Sequence, residues 1–220
     1  MKSIFKLFFP AILLCIFAAQ PVFAQKDAKA KELLDKTSEA LNQAGGLSAS
    51  FTVNVNDGVN KIKQSFEGQI LIKGEKFYLE TPDQAVYFDG KTQWSLAKSI
   101  NEVSILEPKP QDIQTLNPVS VFNLYKTDCD YKYKGEKINT QKRKVKEISL
   151  FPKNNKDDIK QVDIQINPDT AMPVFFLIIN KDKSVYRIYI NKYQTQLNLS
   201  DSQFAFDKKK YPQADVNDLR

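Results

Sequence analysis

The chain of 220 residues contains no histidine. That absence removes the commonest general base, the commonest metal ligand and every Ser-His or Cys-His nucleophile pair. Cysteine is nearly as scarce, with Cys15 and Cys129 alone. Seven glycines are spread through the chain, none in a phosphate-binding loop, and neither a CxxC nor an HExxH occurs. No cofactor or metal is expected from such a set. Beyond the N-terminal region, no stretch reaches the ~18 consecutive apolar residues of a membrane-spanning helix. The formal net charge of +6 is too small to imply a nucleic-acid partner. A carboxylate-only or Ser-Lys enzyme is the chemistry left open.

What is present begins with a leader. Lys2 and Lys6 form a basic head, Leu7 to Ala19 is apolar apart from Pro10, and Val22-Phe23-Ala24 places short residues before Gln25. This is the pattern of a secretory signal peptide cleaved after Ala24. Cys15 follows Leu14 rather than a small residue, which argues against lipid attachment there. Residues 25–220 are then expected as a single exported domain, a monomer, with charge +4 once the two leader lysines are gone. One thiol permits no internal disulfide, and Cys129 reads as a buried small hydrophobe.

The mature chain opens with a helix over Asp27 to Ala44. Ala30, Leu33, Leu34, Thr37, Ala40 and Leu41 form its apolar stripe, Lys31, Glu32, Asp35, Lys36 and Glu39 face away, and Gly45-Gly46 ends it. Strands follow, each with period-two alternation and a turn every 8 to 12 residues. Asp57-Gly58 and Asp89-Gly90 mark two of the turns. Pro108 and Pro110 interrupt the series, and Asn117-Pro118 predicts the start of a short middle helix carrying Val121, Phe122, Leu124 and Tyr125. Strands resume near Tyr131. Val174 to Ile179 is apolar throughout and reads as covered on both faces. A last short strand is placed at Phe204 and Phe206. The expected fold is mainly β: an unclosed, strongly curved antiparallel barrel of about eleven strands with two short helices.

A curved sheet has an inner face. The candidates to line it are Phe51, Phe66, Ile70, Phe77, Leu79, Phe88, Trp94, Phe122, Leu124, Ile148, Ile164, Phe175, Leu177 and Ile188. Composition leaves two readings of that face open, a plugged core and a ligand cavity.

Six segments in register resemble the periplasmic outer-membrane lipoprotein carrier family, the LolA-like proteins. They are Ala49-Ser50-Phe51-Thr52 after the leading helix, Phe66-Glu67-Gly68-Gln69-Ile70-Leu71-Ile72-Lys73, Phe88-Asp89-Gly90-Lys91-Thr92-Gln93-Trp94, Leu116-Asn117-Pro118, Leu150-Phe151-Pro152-Lys153, and the tail from Phe204-Ala205-Phe206 to Arg220. The resemblance implies helices lidding a hydrophobic cavity for the acyl chains of lipoproteins. It implies an inner-membrane releasing transporter as one partner and an outer-membrane receptor as the next. Where the family often carries an arginine and a proline after its second strand, with the arginine holding the lid, this chain has Lys73-Gly74-Glu75-Lys76. A lysine lacks the planar fork of arginine.

Two other readings differ in class. One is a lipid- or lipoprotein-sensing module of the same fold. The other is an exported hydrolase built on Asp89 and Glu102, although Asp89 has a turn role available. The basic stretch Lys132, Lys134, Lys137, Lys142, Arg143, Lys144 and Lys146 reads first as an exposed hairpin whose lysines block edge pairing. Its alternative is a dock for anionic headgroups. Asp89→Asn separates carrier from hydrolase: it keeps the turn, leaves lipid binding unchanged, and abolishes any hydrolysis that depends on that carboxylate.

Overall fold

The computed structural model describes residues 27–108, 125–126, 129–153 and 158–220. The leader and most of the expected middle helix, Phe122 and Leu124 included, lie outside them. The elements run α1 (Ala28–Gln43), β1 (Gly46–Asn56), β2 (Lys63–Lys73), β3 (Lys76–Glu80), β4 (Gln84–Phe88), β5 (Gln93–Ala97) and β6 (Glu102–Leu106). After the undescribed segment come β7 (Cys129–Ile138), β8 (Lys144–Pro152), β9 (Ile159–Ile166), β10 (Pro173–Asn180), β11 (Val185–Leu197) and β12 (Asp215–Asp218). All twelve strands form one unclosed, curled sheet in the order β12-β6-β5-β4-β3-β2-β1-β11-β10-β9-β8-β7. Every pairing is antiparallel except β12 with β6, which is parallel.

α1 forms where its stripe predicts. Asp27 caps it: its Oδ1 accepts from the Lys29 and Ala30 amides at 3.0 and 3.1 Å. The other oxygen, Oδ2, accepts from the Tyr133 amide of β7 at 3.0 Å, so the cap also ties the helix to the sheet. That bond is the first cause holding the Asp27 carboxyl below its usual range. Ala30, Leu33, Leu34 and Thr37 are buried against the strands. Gly45, at φ +65°, ends the helix in the left-handed region that favours glycine. Cys129 is buried in the same core, as its scarcity suggests.

Two expectations about strands change. Phe204 and Phe206 are not in a strand. Asp201–Phe204 is a 3-10 turn that buries Phe204 completely, and the last strand is the later, polar β12. Nor is β10 covered on both faces: Val174 and Phe176 are buried, but Phe175, Leu177 and Ile179 are only half-buried.

At the centre of the sheet, Gly68 lies opposite Phe51, whose ring occupies the space above it. A Cβ on Gly68 would stand 2.4 Å from Phe51 Cζ and 2.7 Å from the Glu80 carbonyl oxygen. The carbonyl belongs to the backbone and cannot swing away. Gly68→Ala is therefore expected to destabilise the fold by about 1–3 kcal/mol. A urea midpoint equal to the parent would show that the ring has room to move.

Candidate functional site

The strand registers assemble one continuous row of side chains on a single face. It runs Phe66–Val53–Ile188–Phe176–Ile164–Ile148–Tyr133, across β2, β1, β11, β10, β9, β8 and β7. Six inter-strand steps of about 4.8 Å make this a path of about 29 Å along the curve. A second row on the same face runs Val55–Tyr186–Ile178–Val162–Leu150–Tyr131. Toward the other edge the face continues as Ala49–Ile70–Leu79–Val86 and Leu47–Ile72–Phe77–Phe88. α1 packs on this face.

The sheet thus brings Phe51, Phe66, Ile70, Phe77, Leu79, Phe88, Ile148, Ile164 and Ile188 to one side, as alternation predicts. Ile148 and Ile164 are fully buried, whereas Phe66 and Ile188 are half-exposed. Sequence reasoning passed over Val53, Phe176, Val162, Leu150 and Tyr133. Val53, Val162, Leu150 and Tyr133 share the alternation of Phe51, Ile164, Ile148 and Tyr131, which was signal enough, whereas Phe176 is revealed by pairing alone.

Three assignments to this face are corrected. Phe175 and Leu177 pair with Gln165 and Asp163, on the opposite side from Ile164. The inward residue between them is Phe176. Phe175 packs instead on Tyr189, with ring centroids 4.9 Å apart. Because β10 is apolar at every position, its hydrophobicity carries no phase, and a shift of one residue changes the face. Trp94 pairs with Tyr87, not with the Phe88 side. At β5 the inner face turns polar, with Gln93 and Ser95 hydrogen-bonded to each other at 3.0 Å. The apolar side there is the outer one, where Tyr78, Tyr87, Trp94, Leu96 and Val103 meet Phe206, Tyr211 and Ala214 of the C-terminal segment.

Charged groups lie around the sheet, with Lys73 and Lys76 on the side opposite Ile72 and Phe77. Lys73 Nζ donates to the Leu199 carbonyl at 2.8 Å and pairs with Asp201 at 2.9 Å. Lys76 pairs with the other oxygen of Asp201 at 2.8 Å. The two lysines therefore fasten the C-terminal segment. Lys76 and then Lys73 hold the exposed Asp201 carboxyl down at about 2. Tyr125 is buried, and its hydroxyl donates to Asp35 of α1 at 2.7 Å. β7 is an edge strand, and Lys132 and Lys134 stand exposed along it. In the same hairpin, Lys144 and Lys146 pair with Glu136, and Lys137 pairs with Glu147.

The chemistry of this arrangement is apolar contact. Asp89 Oδ1 accepts from the Lys91 and Thr92 amides at 2.9 and 2.8 Å, a turn role that occupies the carboxylate. Glu102 lies on β6 opposite Asp215. Among the described residues no group of His, Cys, Asp and Glu side chains is placed to hold a metal. No helix among them is long and apolar enough to cross a membrane.

The family model described as outer membrane lipoprotein carrier protein LolA matches residues 20–175. The chain belongs to the LolA family. An outer-membrane lipoprotein carrier protein of Histophilus somni (strain 129Pt) is 27% identical to it over 183 residues, 79% of this chain and 82% of that one. The corresponding protein of strain 2336 shares the same figures. Among solved structures, an uncharacterized conserved protein from Thermus thermophilus superposes with a TM-score of 0.59 at 14% identity, covering 86% of this chain and 99% of its own. That likeness shows the fold. The LolA match stops at residue 175, so β11, β12 and the segment between them lie beyond it.

The Asp201 clamp makes a pH prediction for this LolA chain. A carboxyl at about 2 in the fold, against 3.8 ordinarily, stabilises the attachment above about pH 4. That contribution is lost as the pH falls from about 4 to about 2. A carbon-13 titration of the Asp201 carboxyl is expected to give a midpoint near 2, returning toward 3.8 in Lys73→Met/Lys76→Met. Equal midpoints in the two proteins would refute the clamp.

Proposed function

We propose that this protein is a periplasmic carrier that binds the acyl chains of lipoproteins released from the inner membrane and takes them to the outer membrane. The observation that carries the reading is the apolar row crossing seven strands of an unclosed sheet, in a chain of the LolA family. In this reading a leader cleaved after Ala24 sends residues 25–220 to the periplasm as one domain. An inner-membrane releasing transporter loads it, and an outer-membrane receptor takes the cargo. The protein binds rather than catalyses; the occupied Asp89 carboxylate supports that view.

Affinity sets a limit on such a carrier. Each buried methylene is worth about 0.8 kcal/mol, so a chain of roughly 15 represents on the order of 12 kcal/mol. Full burial would prevent release, and part of the gain must be offset by what the empty protein gives up.

Phe66 and Ile188 are half-exposed, so changing them leaves the buried rows in place. Phe66→Glu with Ile188→Glu sets two carboxylates where acyl chains would lie, which is unfavourable for both. Incubation with inner-membrane vesicles bearing lipoproteins and the releasing transporter is expected to give a soluble lipoprotein complex with the parent protein. The double variant is expected to give about tenfold less, 1.4 kcal/mol in affinity terms, with its circular dichroism unchanged. Equal yields would rule out this face as the cargo site.

A further inference from the structure

The turn that closes the β1–β2 hairpin displays apolar side chains. Val59 is 67% exposed and Ile62 47%. The turn is well bonded. The Asp57 amide donates to the Ile62 carbonyl at 2.9 Å. Asp57 Oδ1 accepts from the Val59 and Asn60 amides at 2.8 and 2.9 Å, and Oδ2 accepts from the Asn60 side chain at 2.8 Å. Gly58 lies against the backbone of Lys183 in the β10–β11 turn, where a Cβ would stand 2.5 Å from the Lys183 carbonyl oxygen. The two turns therefore make one tip at this end of the sheet. It carries Lys61, Lys63, Lys181 and Lys183, all exposed. Among the described residues, Lys61, Lys63 and Lys183 form no ion pair. The acids of the two turns are Asp57 and Asp182, and both serve turn amides: Asp182 Oδ1 accepts from the Ser184 amide at 2.8 Å.

Other exposed aliphatic residues lack this setting. Ile100 and Ile138 stand singly, and near Ile138 the side chains of Lys137, Lys144 and Lys146 are paired with Glu147 and Glu136. Val216 and Leu219 adjoin Asp215 and Asp218. Two branched aliphatic side chains among lysines suit a surface that is anionic outside and apolar beneath. We propose that this tip docks the protein on the anionic headgroups of a lipid bilayer, with Val59 and Ile62 entering below them. A zwitterionic surface would leave the lysines without partners, and a soluble anion would leave Val59 and Ile62 in water. The docking needs the tip alone. Its use rests on the carrier reading: Val55, which begins the inner row Val55–Tyr186–Ile178, stands two residues before Asp57. A docked tip brings that end of the apolar face to the membrane.

The test mixes the mature protein with vesicles of phosphatidylcholine, alone or with phosphatidylglycerol, and measures cosedimentation. Binding is expected only where phosphatidylglycerol is present, and it weakens as salt is added. One lysine near an anionic surface is worth about fivefold in partitioning, so Lys61→Glu/Lys183→Glu is expected to bind at least about tenfold more weakly. Val59→Ser/Ile62→Ser is expected to lose about tenfold with its charge unchanged. Lys132→Glu/Lys134→Glu makes the same charge change on the β7 edge and is expected to bind as the parent does. Equal binding to both kinds of vesicle, or equal binding by the parent and either tip variant, overturns the proposal. So does an equal loss in the β7 variant, which would mean general charge attraction. The same proteins enter the lipoprotein-release assay. Release of lipoprotein without vesicle binding removes the docking tip and leaves the carrier. Vesicle binding without release removes the carrier and leaves the tip.

Discussion

Seven strands must hold one register for the inner face to exist. Phe66, Val53, Ile188, Phe176, Ile164, Ile148 and Tyr133 meet only because each strand pairs in phase with the next. A slip of one residue anywhere would turn that strand's apolar set outward. The five register shifts fall at Gly46/Ser48 and Ser50/Phe51, at Pro173/Phe175 and Ile179/Asn180, and at Tyr133/Gly135, the last of them starting at the row's end. They bend and twist the strands while the central pairs stay aligned. Asp27 then fixes α1 to the row's end through the Tyr133 amide, so helix position and strand register are set at the same residue.

Such a sheet is too wide to be apolar on one face alone. Between β4 and β5 the pattern reverses: Phe88 on the inner side faces Gln93, and Tyr87 on the outer side faces Trp94. The two ends of the sheet therefore need separate covers. α1 serves the inner face, and the C-terminal segment serves the outer one through Phe206, Tyr211 and Ala214. Lys73 and Lys76 anchor that second cover through Asp201. This gives a physical use to the stretch after β2, Lys73-Gly74-Glu75-Lys76. In this chain, the lysines found there act on the outer cover.

Alternation within single strands made most of this legible. β1, β2 and β9 have clean period-two patterns, and Phe51, Phe66, Ile70 and Ile164 were identified from them, although Val53 and Val162 on the same face were left out. β10 has no polar residue between Val174 and Ile179, so nothing in its sequence sets a phase, and Phe176 was missed. Trp94 and Leu96 alternate correctly, but alternation fixes a shared side and not which side. β12 is polar apart from Val216, and its position comes from main-chain pairing with β6, which leaves no hydrophobic trace.

The sheet's two edges explain how it remains open. β7 presents Lys132 and Lys134, charges that discourage another strand from adding there. β12 is four residues long, fully exposed and acidic at both ends with Asp215 and Asp218, too short to template a new strand well. Closure into a barrel would have removed both edges, but it would also have sealed the interior, because small barrels fill themselves with side chains. By guarding its edges instead of joining them, the sheet stays unclosed. Along the row Val53, Phe176, Ile164 and Ile148 are buried, while Phe66, Ile188 and Tyr133 are partly exposed.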